Sequence, residues 1–296
     1  MLAHSFAILV LASFSLSTLD ADVTARYKTE ITINPATAAM TAGAVKGAEL
    51  AAPQETGIRL KNGKGFSSSS GFSSIIDFPA KELTVLDHAT MRYAKMTSAQ
   101  FVEEAAKAIP EMPADARSAM AATKISLSAP RLTGRTATIQ GVEAEEREIV
   151  VSSAYALAVR MVMQLWTAKA SEVQRVPAIR ELTEYSLYTW VTTNPVSSME
   201  KIIKPLPGFG SVFQPIMEEM KTWMPILRVH MDVFMPGSAG LDNSAPFFQI
   251  NQELVELSTA PVPDGVFEIP AGYQEASPSE LVQALWPRPG GVTAVE

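Results

Sequence analysis

The stretch FSSIIDFPAKELTVLDHATMRYAKMTSAQFVEEAAKAI, from Phe72 to Ile109, decides the fold. Within it, Leu83 and Val85 alternate with polar residues, and this is the two-residue period of a half-buried strand. Asp87 begins a turn, because its carboxylate can accept a hydrogen bond from the backbone two residues further on. We therefore predict a β-meander in the first part of this stretch.

A helix follows the meander directly. Thr97 suits the N-cap, and Gln100 stands three residues later, as in a capping box. Met96 before the cap and Phe101 after it can form a hydrophobic staple, and Pro110 ends the helix. The sequence thus predicts a helix that packs an apolar stripe against the sheet of the meander.

Composition limits the classes of function. The chain has 296 residues, a formal net charge of −7 and no cysteine. It contains no run of lysine and arginine, and such clusters are what nucleic-acid binding and binding to anionic membrane surfaces require. The absence of cysteine excludes disulfides, thiol catalysis and zinc–thiolate sites. We also predict no cofactor.

The N-terminus indicates export. Phe6 to Leu16 is an apolar run of signal-peptide length, too short to span a bilayer. We predict a signal peptide at residues 1–21, cleaved between residues 17 and 21, a β-rich domain at 22–275, and a C-terminal helix and tail at 276–296. The expected location is the periplasm of a diderm bacterium, or the medium, and the mature form is not expected to span a membrane.

The rest of the chain contains further alternating strands. Val23 to Ile33 and Leu227 to Phe234 each place apolar residues on one face and polar residues on the other, as in an antiparallel sheet with one wet face. Asn62-Gly63 is a strong hairpin signal, because both residues tolerate positive φ. The predicted class is α+β, with a large curved antiparallel sheet and a few amphipathic helices.

Other predicted elements complete this organisation. They are a short helix at 113–123, a hairpin of Thr136 to Ile139 with Val142 to Val151, a strand from Tyr155 to Trp166, a helix from Pro177, a helix from Ser211 that carries Phe213, Met217 and Met220 with Trp223 beside them, a short strand from Val266 to Ile269, and a capped helix from Ser277.

Four polar groups are candidates for chemistry, and each has a simpler interpretation. The run Ser67 to Ser70 lacks the surroundings of a nucleophilic serine, so an edge strand or loop is favoured. Asp87-His88 suits a turn better than an acid/base pair. The glutamates at 143, 145, 146 and 148 lack the loop spacing of a calcium site and favour a solvated strand face. His230, between Arg228 and Asp232, favours a wet strand face over a hydrolase site.

The order of these features resembles a family of exported bacterial proteins of unknown function. The similarity lies in VTARYKTEITI, IRLKNGKGF, the meander and GVFEIPAGYQE. The motif positions are Leu86, Asp87, Arg92 and Tyr93, then Phe267, Ile269, Pro270, Gly272 and Tyr273. Such proteins are expected to look like the periplasmic lipoprotein carriers LolA and LolB, which are open antiparallel half-barrels with helices on the concave face. The resemblance covers most of residues 22–275 and implies no catalytic residues.

Two hypotheses of function are carried forward, beside a less favoured hydrolase. The first is a non-catalytic binding protein of the cell envelope for an acyl chain or lipoprotein, because flexible methionines and aromatics suit irregular apolar sites. The second is a structural or interaction module of the envelope, with a filled core and no small ligand, in which an edge strand such as Val23 to Ile33 pairs with an envelope protein. The predicted ligand-binding residues are Met161, Met163, Phe213, Met217, Met220 and Trp223.

Overall fold

A computed structural model describes residues 21–34, 53–69, 71–108, 118, 124–154, 159–192, 222–234 and 245–285. Outside these ranges lie the predicted signal peptide at residues 1–21 apart from Ala21, the predicted helix at 113–123 apart from Ser118, and the predicted helix from Ser211 up to residue 221. So do residues 155–158 and the tail from residue 286 onward.

Strands make up most of the described chain. They are β1 (Val23–Ile33), β2 (Gln54–Lys61), β3 (Lys64–Ser68), β4 (Phe72–Asp77), β5 (Glu82–Asp87), β6 (Arg92–Thr97), β7 (Lys124–Leu127), β8 (Arg131–Ile139), β9 (Val142–Ala154), β10 (Val159–Ala168), β11 (Ile226–Phe234), β12 (Phe248–Ser258) and β13 (Gln274–Glu275). The helices are α1 (Ser98–Ala108), α2 (Ala170–Arg175), α3 (Pro177–Thr192) and α4 (Pro278–Leu285), with a 3-10 helix at Asp264–Phe267.

All these strands form a single open sheet. Its order is β13-β6-β5-β4-β3-β2-β1-β12-β11-β10-β9-β7, and β8 also pairs with β9. Every pairing is antiparallel except that of β13 with β6. The predicted α+β class with a large antiparallel sheet is confirmed.

The first strand lies in the middle of the sheet. Thr24 to Ile33 of β1 pair with β12 on one side, and Val23 to Thr29 pair with β2 on the other. The suggestion that Val23 to Ile33 is an exposed edge strand is therefore wrong, because both of its edges are already hydrogen-bonded. The alternation in this strand reports which face is buried, whereas position in the sheet depends on partners far away in sequence.

The opening stretch folds as predicted, and its local signals are satisfied. Asp87 Oδ1 accepts the backbone N–H of Ala89 at 2.9 Å, which closes the predicted turn. Gln100 Oε1 accepts the N–H of Thr97 at 2.8 Å, and Thr97 Oγ1 accepts the N–H of Gln100 at 3.2 Å. The capping box is thus complete at both ends, and α1 begins at Ser98.

Other local predictions have mixed outcomes. Asn62 and Gly63 adopt φ of 49° and 74°, as the predicted hairpin requires. Ser67 and Ser68 do not form an edge or loop, because β3 is an interior strand between β2 and β4. The predicted strand from Val266 to Ile269 is also wrong, since the chain forms the 3-10 helix there and the last strand is Gln274–Glu275.

Three helices cover one face of the sheet. α1, α3 and α4 contribute to one hydrophobic cluster, in which Leu60, Ile76 and Met96 come from the sheet and Tyr185 comes from α3. Nearer the start of α3, Ile179 and Leu182 pack with Tyr27, Leu227 and Leu254 in a second cluster. α3 therefore contacts both halves of the sheet and buries apolar side chains from each of them.

Two tyrosines in these clusters make stability sensitive to alkaline pH. Burial raises the pKa of Tyr27 and the pKa of Tyr185 above the usual tyrosine value. A raised pKa in the folded state stabilises the fold below about pH 10, where unfolded tyrosine ionises, and the stabilisation is lost as pH rises further. We expect the urea midpoint of unfolding to fall steeply above this pH.

In the double variant Tyr27→Phe, Tyr185→Phe, the urea midpoint should fall much less between pH 7 and pH 11 than it does in the wild type. We call this fall with pH the slope. The variant Tyr93→Phe is the control, since Tyr93 is half-buried on β6, and it should keep the wild-type slope. Urea titrations at pH 7 and pH 11 decide the matter, and an unchanged slope in the double variant would contradict the assignment.

Candidate functional site

Three of the six predicted ligand-binding residues come together. Met161 and Met163 share one face of β10 and pack against a cluster that contains Trp223. Trp223 is buried, with its ring beneath the guanidinium of Arg147 at 5.5 Å. It lies in a turn before β11, not in the predicted helix. Phe213, Met217 and Met220 lie outside the described residues.

This cluster has the contacts of a hydrophobic core. Ile149, Val151 and Leu165 are its buried members, and Leu127 and Val229 complete it. Met161 and Met163 fill space between strands, which is a common use of methionine. The described part of the predicted site is therefore packed side chain against side chain.

A cavity lies elsewhere, between strands β2 to β5 and helices α1 and α3. Its volume is about 530 Å³, within the range of about 300 to 1,000 Å³ that is usual for small-molecule sites. Fourteen residues line it: Thr56, Ile58, Ser67, Ser68, Ser69, Phe72, Ser73, Ser74, Ile76, Leu83, Val85, Phe101, Tyr185 and Thr189.

Strand alternation produces the apolar wall of this cavity. Ile76 on β4 and Leu83 on β5 are opposite each other in the register and share one face of the sheet. Val85 continues that face, since side chains two residues apart on a strand point the same way. Phe101 from α1 and Tyr185 from α3 line the cavity from the helix side, and the cavity is open to solvent. The meander and the two helices that pack on it thus form the site.

The polar part of the lining consists of hydroxyl groups. Ser67 Oγ and Ser74 Oγ are 2.7 Å apart. Burial raises the pKa of the Tyr185 phenol, and a hydrogen bond with the Ser67 side chain partly opposes that rise. Thr189 Oγ1 donates to the carbonyl of Tyr185 at 3.0 Å. None of the fourteen lining residues carries a charge.

A serine–histidine pair links the two motifs on which the family resemblance rests. His88 Nε2 is 2.7 Å from Ser73 Oγ, and His88 Nδ1 is 2.5 Å from the hydroxyl of Tyr273. Beside this link, Gln274 donates its N–H to the carbonyl of Met91, and this places β13 next to β6. The sequence placed these motifs 185 residues apart, and no local signal predicted that they touch.

The geometry favours a structural role for this link. Ser73 is only 5% exposed, although it borders the cavity beside Ser74, and its hydroxyl is occupied by the contact with His88. A catalytic serine needs a base, which His88 could supply, and also donors for a developing oxyanion. The hydrogen bonds instead fasten the C-terminal segment to the turn of the meander.

The glutamates of β9 are not all on a solvated face. Glu146 is 1% exposed, and its carboxylate accepts hydrogen bonds from Arg135 Nε and Thr133 Oγ1, each at 2.6 Å. The prediction of a wet face is therefore wrong at this position, because a bulge in β8 brings Arg135 over the carboxylate. Glu148 is paired with Arg131, and this hydrogen bond holds the pKa of Glu148 below its usual value.

His230 lies on a half-exposed polar face, as predicted. Its Nδ1 is 2.6 Å from Asn251 Oδ1, and its Nε2 is 3.2 Å from Asp232 Oδ2. In the part of the chain that the structure describes, no group of three or more histidine, aspartate or glutamate side chains could hold a metal ion.

Comparison with family models and with curated proteins gives no match. Within the described ranges, no helix is long and apolar enough to cross a membrane. Fold and site together define an α+β protein with an uncharged, largely apolar cavity beneath its helices.

Proposed function

We propose that this protein is a non-catalytic binding protein for a hydrophobic ligand, such as an acyl chain or the lipid of a lipoprotein, in the cell envelope. The observation that carries the proposal is the cavity of about 530 Å³ between the meander and helices α1 and α3. Apolar walls with a few fixed polar groups are what small-molecule sites generally have.

The overall architecture of the sheet and helices is consistent with this proposal. The sheet is open, and helices cover one of its faces. A half-barrel of the LolA and LolB kind, exported through a signal peptide at residues 1–21 and working in the periplasm, is the arrangement we propose. The cavity lies on the helix-covered face of the sheet, and this is the face on which we propose that the ligand binds.

The ligand site we propose differs from the one expected from methionine content. Met161, Met163 and Trp223 pack among themselves and their neighbours, so they stabilise the sheet. The cavity instead uses Ile58, Phe72 and Val85, which are ordinary strand residues. The alternation of apolar residues along a strand predicts which face is buried. It does not predict which of the buried residues will border a cavity.

Filling the cavity should abolish binding. Val85 is 5% exposed and lines the cavity, so Val85→Phe places a ring where the ligand would lie. We expect affinity for an acyl-chain probe, measured by calorimetry on delipidated protein, to fall at least about tenfold, that is by about 1.4 kcal/mol of binding free energy. The matched control is Val255→Phe, because Val255 is half-buried on β12 outside the cavity.

Both variants must first show the wild-type circular dichroism spectrum. If the folded Val85→Phe protein binds the probe as tightly as wild type does, the cavity is not the ligand site. If wild-type protein takes up no acyl probe at all, and native mass spectrometry of gently purified protein shows a bare mass, the alternative is favoured: an interaction module of the envelope with no small ligand.

A further inference from the structure

We infer that the cavity selects an amphiphile whose polar head is uncharged and carries hydroxyl or ester oxygens, and that it rejects the same chain with an ionised head. This inference rests on the proposed function and specifies its ligand class. The chemistry is that of a monoacylglycerol, a long-chain alcohol or a diacylglyceryl group attached to a protein.

The wall of the cavity carries no charged side chain. The seven polar residues among the fourteen that line the cavity, Tyr185 aside, are serines and threonines. An ionised carboxylate or ammonium that leaves water for such a site loses its hydration and gains no opposite charge, and this is strongly unfavourable. An uncharged head group loses far less, because neutral hydroxyls can replace its hydrogen bonds with water.

The charged residues of strand β2 lie on the face of the sheet that is opposite the cavity. Along β2, Thr56 and Ile58 face the cavity, whereas Glu55 and Arg59 alternate with them. Glu55 pairs with Arg26 at 3.2 Å, and the guanidinium of Arg59 lies over the Phe66 ring at 5.9 Å. Strand alternation thus directs these charges to the opposite face of the sheet, where they have other partners.

Hydroxyl groups at the cavity are arranged to hydrogen-bond an uncharged head group. Ser67, Ser74 and Tyr185 form a connected set, with the Ser67 and Ser74 oxygens 2.7 Å apart. Each hydroxyl offers one donor and two acceptor lone pairs. The set therefore keeps capacity to donate to an ester or ether oxygen and to accept from an alcohol. A carboxylate could use only the donors.

The test compares probes that share a twelve-carbon chain. Delipidated protein at pH 8 is titrated in a calorimeter with monolauroylglycerol, dodecanoate and dodecyltrimethylammonium. We expect monolauroylglycerol to bind at least about 100-fold more tightly than either ion, given the cost of burying an unpaired charge. A diacylglyceryl peptide and a free diacylglycerol, each tested by native mass spectrometry, distinguish a protein-attached lipid from a free one.

The outcomes separate the inference from the proposed function. Equal affinity for all three heads would overturn the inference and leave a binding protein. Binding of none of them, nor of the diacylglyceryl compounds, would overturn both. Dodecanoate should also gain affinity as pH falls through about 4 to 5, where a carboxyl group becomes neutral, and unchanged affinity there would count against charge exclusion.

A cation introduced at the cavity should reverse the preference. Thr56 lines the cavity and is half-buried, so Thr56→Lys should raise the affinity for dodecanoate about tenfold or more. The control is Thr24→Lys, since Thr24 is half-buried on the neighbouring strand β1, and its position alternates with the buried Val23 and Ala25. If both variants change dodecanoate binding equally, the effect is one of net charge, and the assignment of the head group to this cavity fails.

Discussion

Gly65→Ala should destabilise this protein more than any other glycine-to-alanine change in the described sheet. A Cβ built on Gly65 would lie 2.7 and 2.9 Å from two ring carbons of Tyr185. Tyr185 is only 6% exposed, so its ring has little freedom to move away. Overpacking of this kind costs about 1–3 kcal/mol and sometimes more, and we expect a loss near the upper end.

The close contact is also what holds α3 on the meander. Tyr185 lies edge-on to Phe78 with ring centroids 6.2 Å apart, and its neighbour on the helix, Tyr188, contacts Phe78 at 4.6 Å. An added methyl group at Gly65 would push α3 away from this aromatic group. Because Tyr185 also lines the cavity, ligand binding should weaken together with stability.

Urea unfolding of the wild type and of four variants, Gly65→Ala, Tyr185→Leu, their double variant and Gly71→Ala, tests the contact. Gly71→Ala is the matched control, because nothing lies within 4 Å of a Cβ built there. The double variant Gly65→Ala, Tyr185→Leu should be less destabilised than the sum of its single changes, since the smaller side chain removes the clash. Strict additivity in this cycle, or equal losses for Gly65→Ala and Gly71→Ala, would contradict the explanation.

Leu182→Ala should lower the free energy of unfolding by a comparable amount. Here the cause is a void in the core, whereas Gly65→Ala overpacks it. Leu182 is fully buried on α3, in the cluster with Ile179, Tyr27, Leu227 and Leu254. Truncation of such a leucine removes apolar contacts and leaves a void, at a cost of about 2–5 kcal/mol. The change should therefore loosen α3 from the half of the sheet that contains β1, β11 and β12.

The control for this prediction is the same change at an exposed site. Leu132 on β8 is 53% exposed, so Leu132→Ala should change the free energy of unfolding by no more than about 0.5 kcal/mol. Guanidinium titrations with matched slopes give both values. If Leu182→Ala lowers the free energy of unfolding by less than about 1 kcal/mol, which is well below the usual cost of such a change, α3 does not pack on the sheet as tightly as we infer.

The sequence predicted best where a structural signal is local. The hairpin at Asn62-Gly63, the turn at Asp87 and the capping box of Thr97 with Gln100 each depend on residues within three positions of one another, and all three are present. Alternation gave most strands for the same reason, since it reports only whether a face is buried.

Prediction failed where a partner comes from far along the chain. Val266 to Ile269 resembles a strand, yet in the described chain no strand pairs with it, and a 3-10 helix forms at Asp264–Phe267. Glu146 resembles a solvated glutamate, yet Arg135 and Thr133 reach it across a bulge. Neither the composition nor the alternation of apolar and polar residues predicts contacts between segments that are distant in the sequence.

The site shows the same division. The abundance of methionine and aromatic residues predicted a ligand site that includes Met161, Met163 and Trp223. In the tertiary structure these residues pack together in a hydrophobic cluster of the core. The cavity is bounded by Val85, which looks like any other strand residue, and its shape depends on where α1 and α3 lie. An unfilled volume is a property of the packed whole, and no single residue or spacing encodes it.

The sequence by itself determined the α+β class, the turns and caps, and the segregation of apolar from charged side chains to opposite faces of the strands. Each of these follows from the backbone geometry of neighbouring residues. Only the tertiary structure decided that β1 lies at the centre of the sheet, that His88 meets Tyr273, and that a cavity remains beneath the helices. These features depend on contacts between distant segments, and such contacts form only when the whole sheet is assembled.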